Sequence, residues 1–422
     1  MSLARWDSDL AEFDATYAAT YPGPAAPGPV HTVYIPVTRF DAGAISRWGA
    51  AGLATVAEFG PQWDAVVSGL LGVADERSAA GLTTRTRAKL ATEPIEDLRI
   101  DFEDGFRAHR ATPADDQDED SHAVRAAEVV AGMTDLPRSW GLRIRSLAPS
   151  TRRRGLRTLD LFLAELLSQT GSLPDGFVIT LPKVTGVQQI EVFCRVLSTI
   201  ETVHGLPSGV LRFEIQVETP QSVLGADGRV PMGQMIHAAG GRVSGLHFGT
   251  YDYTASLGVI GAHQNLRHPV ADFAKGLMML AAAETGVRVS DGSDNKVPVG
   301  PPEVVRQRWA THADSVLRAL RGGIYQGWDL HPAQLPTRFA ATFAFYRDGW
   351  TDAAGRLGDY HRQAERGVMD EPATAYALAR QLAAARACGA VDAAELDVVG
   401  GIGDDVLAHY LVRGAVPGVD LR

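Results

Sequence analysis

What most limits the fold of this chain is a unit that recurs eight times: an apolar, β-branched run that stops at polar residues and is followed by a helical pattern. The runs are VHTVYIP (30–36), DLRIDF (97–102), WGLRIRSL (140–147), GFVITLPKV (176–184), LRFEIQVE (211–218), VSGLHFGTYD (243–252), VRVSD (287–291) and GIYQGWDLHP (323–332). Each has the composition of a buried strand. Segments such as RRRGLRTLDLFLAELLSQ and VQQIEVFCRVLSTIETV between them repeat apolar residues at helical spacing. Eight strand and helix pairs in one direction predict an α/β chain folded as a (β/α)8 TIM barrel. The barrel domain is expected over residues 1–349. Its first 30 residues, a short helix and the linker YPGPAAPGP, form an N-terminal extension, and residues 350–422 form a helical C-terminal extension.

At 422 residues, with 45% apolar and 21% charged residues, the chain can bury a large core and is not disordered. Its formal charge of −10 argues against nucleic acid, whose binding depends on lysine and arginine neutralising phosphates. There is no leader-like N-terminus and no run of about 18 apolar residues, so no membrane partner and a cytoplasmic location are expected. The two cysteines, Cys194 and Cys388, lie far apart in helical patterns and read as small buried thiols, not a disulfide.

The polar residues that close the strands carry the functional expectation. They are Asp101, Glu103 and Asp104 after the second strand, Arg143 and Arg145 on the third, Lys183 after the fourth and Glu218 after the fifth. Asp252, Asp291, and Asp329 with His331 end the sixth, seventh and eighth. In a barrel these ends share the face where enzymes of this fold place their chemistry. Two carboxylates there, Glu218 and Asp252, could hold one hard divalent cation, since Mg²⁺ prefers oxygen ligands. The plainer reading is two solvated acids at helix starts. Arg143 and Arg145 alternate along a strand and so share a side. That placement suits salt bridges to Asp101 and Asp104, but a guanidinium also forks onto a substrate carboxylate or an enolate oxygen. Lys183 is balanced between a partner of the acids and a ligand contact, and His331 reads as structural. The arginine run at 152–154 reads as a solvated helix start.

In this order the motifs resemble the citrate lyase beta subunit family, a branch of the metal-dependent superfamily that also holds malate synthases and class II pyruvate aldolases. DFEDGF stands for the family's Asp-Leu-Glu-Asp motif, LRIRS for its Arg-x-Asn, and LPKV for its strand-four motif. VETPQS and FGTYDYTASLG match the segments with the magnesium-binding Glu and Asp, which fall on Glu218 and Asp252. SDGSDN resembles Asp-Gly-Pro, and GWDLHPAQ the closing Gly-x-x-x-Ile-His-Pro-x-Gln. Arg145 replaces the usual Asn and Ser293 the usual Pro, and the acidic insert at 115–120 and the long C-terminal extension have no named counterpart.

The resemblance implies a metal-dependent carbon–carbon lyase or aldolase, or the reverse condensation, working through an enolate. The substrate is a small 2-oxo or hydroxy acid or its coenzyme A thioester, and the metal is Mg²⁺ or Mn²⁺. Glu218 and Asp252 are the expected metal ligands. Arg143 stabilises the enolate, Glu103 and Asp104 hold metal-bound water, and Arg143, Arg145, Lys183 and Asp291 bind substrate. The proton carrier stays open between Asp252, Asp291 and an ordered water. Two alternatives are a malate-synthase-like enzyme joining an acyl-CoA to glyoxylate and a catalytically silent metabolite-binding barrel. A homo-oligomer is expected because the tail has apolar faces to bury.

Overall fold

The computed structural model describes residues 4–71, 76–106, 113–362 and 372–412. Eight strands form one closed parallel barrel in sequence order, with β1 paired to both β2 and β8. They are β1 His31–Pro36, β2 Asp97–Asp101, β3 Ser139–Arg143, β4 Phe177–Leu181, β5 Arg212–Val217, β6 Val243–Phe248, β7 Arg288–Ser293 and β8 Gln326–Asp329. The expected (β/α)8 architecture is therefore present. Several strands are shorter than the apolar runs suggested: β3 stops at Arg143, β4 at Leu181 and β6 at Phe248. The residues after these points belong to loops or to the next helix.

Alternation along each strand sorts the side chains. Leu98 and Ile100, Ile179 and Leu181, and Phe213, Ile215 and Val217 are fully buried in the outward layer. The helix Arg152–Thr170 faces that layer with Leu159, Phe162, Leu163 and Leu166, a helical stripe that follows from their spacing. Phe162 stacks on Phe177 at 6.1 Å between ring centres, and removing such a ring to alanine costs about 3–5 kcal/mol.

The inward layer is polar at mid-height. Arg99 Nε donates to Glu214 at 2.8 Å, and its terminal nitrogen pairs closely with Asp97. Thr180 donates to Glu214 at 2.5 Å, Thr32 to Asp97 at 2.8 Å, and His247 Nε2 lies 2.8 Å from the other Glu214 oxygen. Burial alone would raise the Glu214 pKa, but Arg99 and His247 hold it far below the usual carboxylate range.

The C-terminal helices Trp350–His361, Pro372–Cys388, Ala393–Gly400 and Asp404–Tyr410 bury Leu357, Leu382, Leu396 and Tyr410 in a core continuous with the barrel's helical shell. Cys388 is buried, Cys194 half-buried, and both are free thiols. The N-terminal helix Ala4–Thr20 leaves Trp6, Leu10, Phe13 and Tyr17 exposed. Among the described residues no helix is long and apolar enough to cross a membrane.

Candidate active site

The site is built at the C-terminal ends of β2 to β6. Asp101 closes β2 and faces inward, and its two oxygens accept the N–H groups of Glu103 and Gly105, each at 2.9 Å. A side chain at position 105 would put a Cβ 2.5 Å from Asp101 Oδ2, so glycine permits this tight turn. Arg143, at the end of β3, forks onto the same carboxylate at 2.7 and 2.6 Å. Its guanidinium carbon lies 4.8 Å from the Tyr34 ring centre and 5.4 Å from that of Trp328. Burial works against its charge, but Asp101 and Glu103 raise its pKa and keep it protonated. Arg143 Nη1 is buried without a hydrogen bond, and Glu103 Oε2 and Asp104 Oδ2 stand off at 3.4 and 3.7 Å.

Lys183 follows the strand-ending pair Leu181 and Pro182 and has a positive φ of 53°, uncommon for a side chain of this kind. This turn aims its backbone N–H at Glu218 Oε1, 2.7 Å away. Its ammonium makes a close pair with Glu103 and lies 3.2 Å from both Asp104 Oδ1 and Asp252 Oδ2. Glu218, one residue past β5, is 3% exposed, and burial pushes its pKa up to about 8 against the pull of Lys183. Burial likewise lifts Glu103, to about 7, with Asp104 adding to the rise against Arg143. Asp104 is drawn down, for although burial opposes its charge, Arg143 and Lys183 outweigh it. Asp252 stands in the first turn of the helix Thr250–Ser256 with its carboxylate open to solvent.

The structure thus brings together Glu103, Asp104, Arg143, Lys183, Glu218 and Asp252. With Asp101 that is five carboxylates around two cations, and for the buried Asp101, Glu103 and Glu218 burial penalises an unbalanced charge. An all-oxygen donor set with excess negative charge fits a small hard cation such as Mg²⁺. Among the described residues the acids do not stand at the spacing of a coordination shell. Glu103, Asp104 and Asp252 are drawn onto the Lys183 ammonium, Glu218 onto the Lys183 N–H and Asp101 onto Arg143.

Two expected members of the site lie elsewhere. Arg145 is past the end of β3 and does not share the inward side of Arg143. It binds Glu119, on the helix Pro113–Ala131, at 2.8 Å. The acidic insert is likewise engaged, since Asp120 pairs with Arg154 and Arg157. Asp291 occupies an outward position on β7 and meets the buried Lys275 of the helix Pro269–Ala282 at 3.1 Å, which takes it out of the choice of proton carrier. Asp329 is also outward, bound to His31, His312 and Arg338. His331 is a capping residue: its ring accepts the Ala333 N–H at 3.2 Å. The inward residues Tyr34, Gln216 and Trp328 were not among the expected site residues. Their signal was position alone, two residues before a strand-ending polar group or in step with one.

A family model described as a domain of unknown function, DUF6986, matches residues 10–413. The L-malyl-CoA/beta-methylmalyl-CoA lyase of Haloarcula marismortui is 30% identical over 195 residues, which is 44% of this chain and 50% of that protein. The chain therefore spans about half the length of this curated relative. Among solved structures, a citrate lyase from Burkholderia xenovorans LB400 superposes with a TM-score of 0.55 at 17% identity, over 89% of this chain and 97% of the other. Haloferax volcanii malate synthase superposes at a TM-score of 0.49 and 14% identity, over 92% and 98%. The chain belongs to the family described as DUF6986.

Proposed function

We propose that this protein is a magnesium-dependent carbon–carbon lyase, or the enzyme of the reverse condensation, acting through an enolate on a small 2-oxo or hydroxy acid or its coenzyme A thioester. The observation that carries the reading is the gathering of four acids around Lys183 at the barrel mouth, Glu103, Asp104 and Asp252 on its ammonium and Glu218 on its backbone N–H, with Arg143 Nη1, which makes no hydrogen bond, standing 3.4 Å from Glu103. The name of the Haloarcula relative supports the same chemistry. Glu218 and Asp252 would hold Mg²⁺ or Mn²⁺, with Glu103 and Asp104 accepting hydrogen bonds from its water. The bound ion would act as a Lewis acid on the substrate carbonyl.

The remaining work falls to the chain's own side chains. Asp101 fixes the Arg143 fork from one side, and Tyr34 and Trp328 support its flat face. Nη1 is left to donate to an oxygen on which negative charge develops as the carbon–carbon bond breaks. Such a preorganised donor is worth about 2.7–4 kcal/mol of barrier. Lys183 balances the acids until substrate and cation enter. The proton would pass to bulk water through the solvent-facing Asp252 or an ordered water beside it. Arg145 and Asp291, held by Glu119 and Lys275, are given no substrate contact.

Residues 1–349 would form the catalytic unit and the C-terminal helices its outer support. The exposed apolar stripe of the N-terminal helix suits a homo-oligomer. The test is calorimetric titration of Mg²⁺ into the wild-type protein and into Glu218→Gln and Asp252→Asn, followed by turnover of 2-oxo acids and acyl-CoA thioesters. Unchanged magnesium affinity in both variants would remove the reading. Release of free coenzyme A from acetyl-CoA and glyoxylate would redirect it to a condensing enzyme.

A further inference from the structure

The opposite end of the barrel, below the ionic tier of Asp97, Arg99 and Glu214, carries charge of the other sign. Ser139, Arg212, Arg288 and Gln326 are the first residues of β3, β5, β7 and β8. Ser139, Arg212 and Gln326 are in phase with the inward residues Arg143, Glu214 and Trp328, and Arg288 stands three before the outward Asp291, so all four turn toward the barrel axis. Ser139, Arg212 and Arg288 line one cavity of about 420 Å³. Arg288 also lines a larger one of about 1580 Å³, together with Gln326. Gly28 of the N-terminal linker lies against the Arg288 stem, where a Cβ would stand 2.6 Å from Arg288 Cδ.

The polar groups of this end lack partners. Arg288 Nε is buried without a hydrogen bond, and so are Ser139 Oγ and Gln326 Oε1, in residues 9% and 4% exposed. Folded proteins rarely leave such groups unpaired, because each has given up its bonds to water. Although Arg212 opens to solvent, burial of part of the side chain and the charge of Arg288 pull its pKa below the ordinary arginine value, and no acid offsets them. The acids lining the same cavity are engaged or exposed: Lys89 holds Glu93 and Glu96, each at 2.6 Å, and Asp175 lies at the surface. Among the described residues neither Arg212 nor Arg288 forms an ion pair. Two like charges set together on separate strands repel, and an anion between them removes the repulsion.

The donor set selects the anion. A carboxylate has two oxygens, which one guanidinium satisfies. Two guanidiniums and a hydroxyl offer more donors than a carboxylate can use, and Gln326 Oε1 adds an acceptor. That set matches a phosphate, which brings at least three acceptor oxygens, a charge of about −1.5 to −2 at neutral pH and, when singly protonated, one hydroxyl to donate. We propose that Arg212, Arg288 and Ser139, with Gln326, form a second ligand site at the N-terminal end of the barrel that binds a phosphate group, either free phosphate or that of a small phosphorylated metabolite whose organic part would lie in the larger cavity. The ionic tier separates this site from the mouth, so it stands apart from the lyase chemistry.

The test is calorimetric titration of the full chain, without divalent cation and at matched ionic strength, with inorganic phosphate, glycerol 3-phosphate and malonate. At least one of the two phosphates should bind saturably, about tenfold or more tightly than malonate, a dianion of the other geometry. Arg212→Met and Arg288→Met should each lose about tenfold or more of that affinity, as expected for the loss of a charged donor. Ser139→Ala, which leaves both charges in place, should weaken it severalfold. Glycerol 3-phosphate bound more tightly than phosphate assigns the site to a phosphorylated metabolite, and the reverse order assigns it to free phosphate. Each arginine variant removes one of two repelling charges, so its ligand-free melting temperature should hold or rise while its phosphate affinity falls, a combination that a purely structural role does not produce. Absence of saturable binding of either phosphate to the wild type would overturn the proposal. Malonate bound as tightly as phosphate, or variants that keep the wild-type phosphate affinity, would do the same.

Discussion

Replacing Gly249 with alanine isolates the contribution of Glu218 without altering its chemistry. A Cβ at this position would lie 2.3 Å from Glu218 Cβ and 2.5 Å from Oε2, contacts that real Cβ atoms do not make. The backbone of Gly249, at φ −96° and ψ 89°, is open to an L-residue, so the strain falls on the neighbour rather than on the alanine itself. Rotation of the side chain moves Oε2 but not the Glu218 Cβ, so the backbone after β5 must shift as well, and Glu218 surrenders the Lys183 N–H that it accepts at 2.7 Å. Overpacking of this kind costs about 1–3 kcal/mol of stability. Magnesium affinity should fall by about a hundredfold, since disturbing even an outer partner of a metal ligand costs 10- to 100-fold. Thermal unfolding and calorimetric titration of Mg²⁺ measure the two effects separately. Gly49→Ala is the control: its added Cβ would meet the Leu90 carbonyl oxygen at 2.3 Å, far along the chain from the mouth acids. It should lose stability and keep the metal. A folded Gly249→Ala that bound Mg²⁺ like the wild type would refute the assignment of Glu218 as a ligand.

Other outcomes follow from the same structure. Asp291→Asn and Arg145→Met should each lower the melting temperature by breaking pairs with Lys275 and Glu119, yet leave Mg²⁺ affinity unchanged by calorimetry. Glu214→Gln breaks a buried ionic group, and chemical denaturation at neutral pH should show a loss of about 3–5 kcal/mol. Because Arg99 and His247 hold the folded Glu214 pKa below its unfolded value of about 4.3, its contribution is present above that pH and is lost as pH falls below it. The variant should therefore show a shallower acid limb in stability against pH than the wild type.

The barrel was legible because eight apolar runs and the helices between them report burial, which composition records directly. The mouth was legible in part. Glu218, Asp252, Arg143, Lys183, Glu103 and Asp104 meet as their places after successive strands implied. Arg145 and Asp291 do not, for a reason of parity. A strand turns alternate side chains to opposite faces, so a charged residue near a strand end enters the mouth only if it is in phase with the inward set. Asp291 is out of phase and faces a helix. Arg145 follows Arg143 by two, but β3 has already ended, so the pleat no longer governs it. The same rule exposes what reading strand ends alone passed over: Asp97, Arg99 and Asp101, and Glu214, Gln216 and Glu218, are polar at every second position. That period marked an inward polar column, but not which atoms would remain unpaired.

The ionic tier of Asp97, Arg99, Glu214 and His247 has a consequence for traffic. It closes the barrel axis at mid-height, so a molecule that meets the mouth residues approaches them from the C-terminal face. On the proposed function, a coenzyme A arm attached to the acid would lie outside, over the rim, with only the acid reaching the mouth residues. On the same reading, product would leave by the face through which its precursor came, so a fresh molecule would wait until the last had cleared.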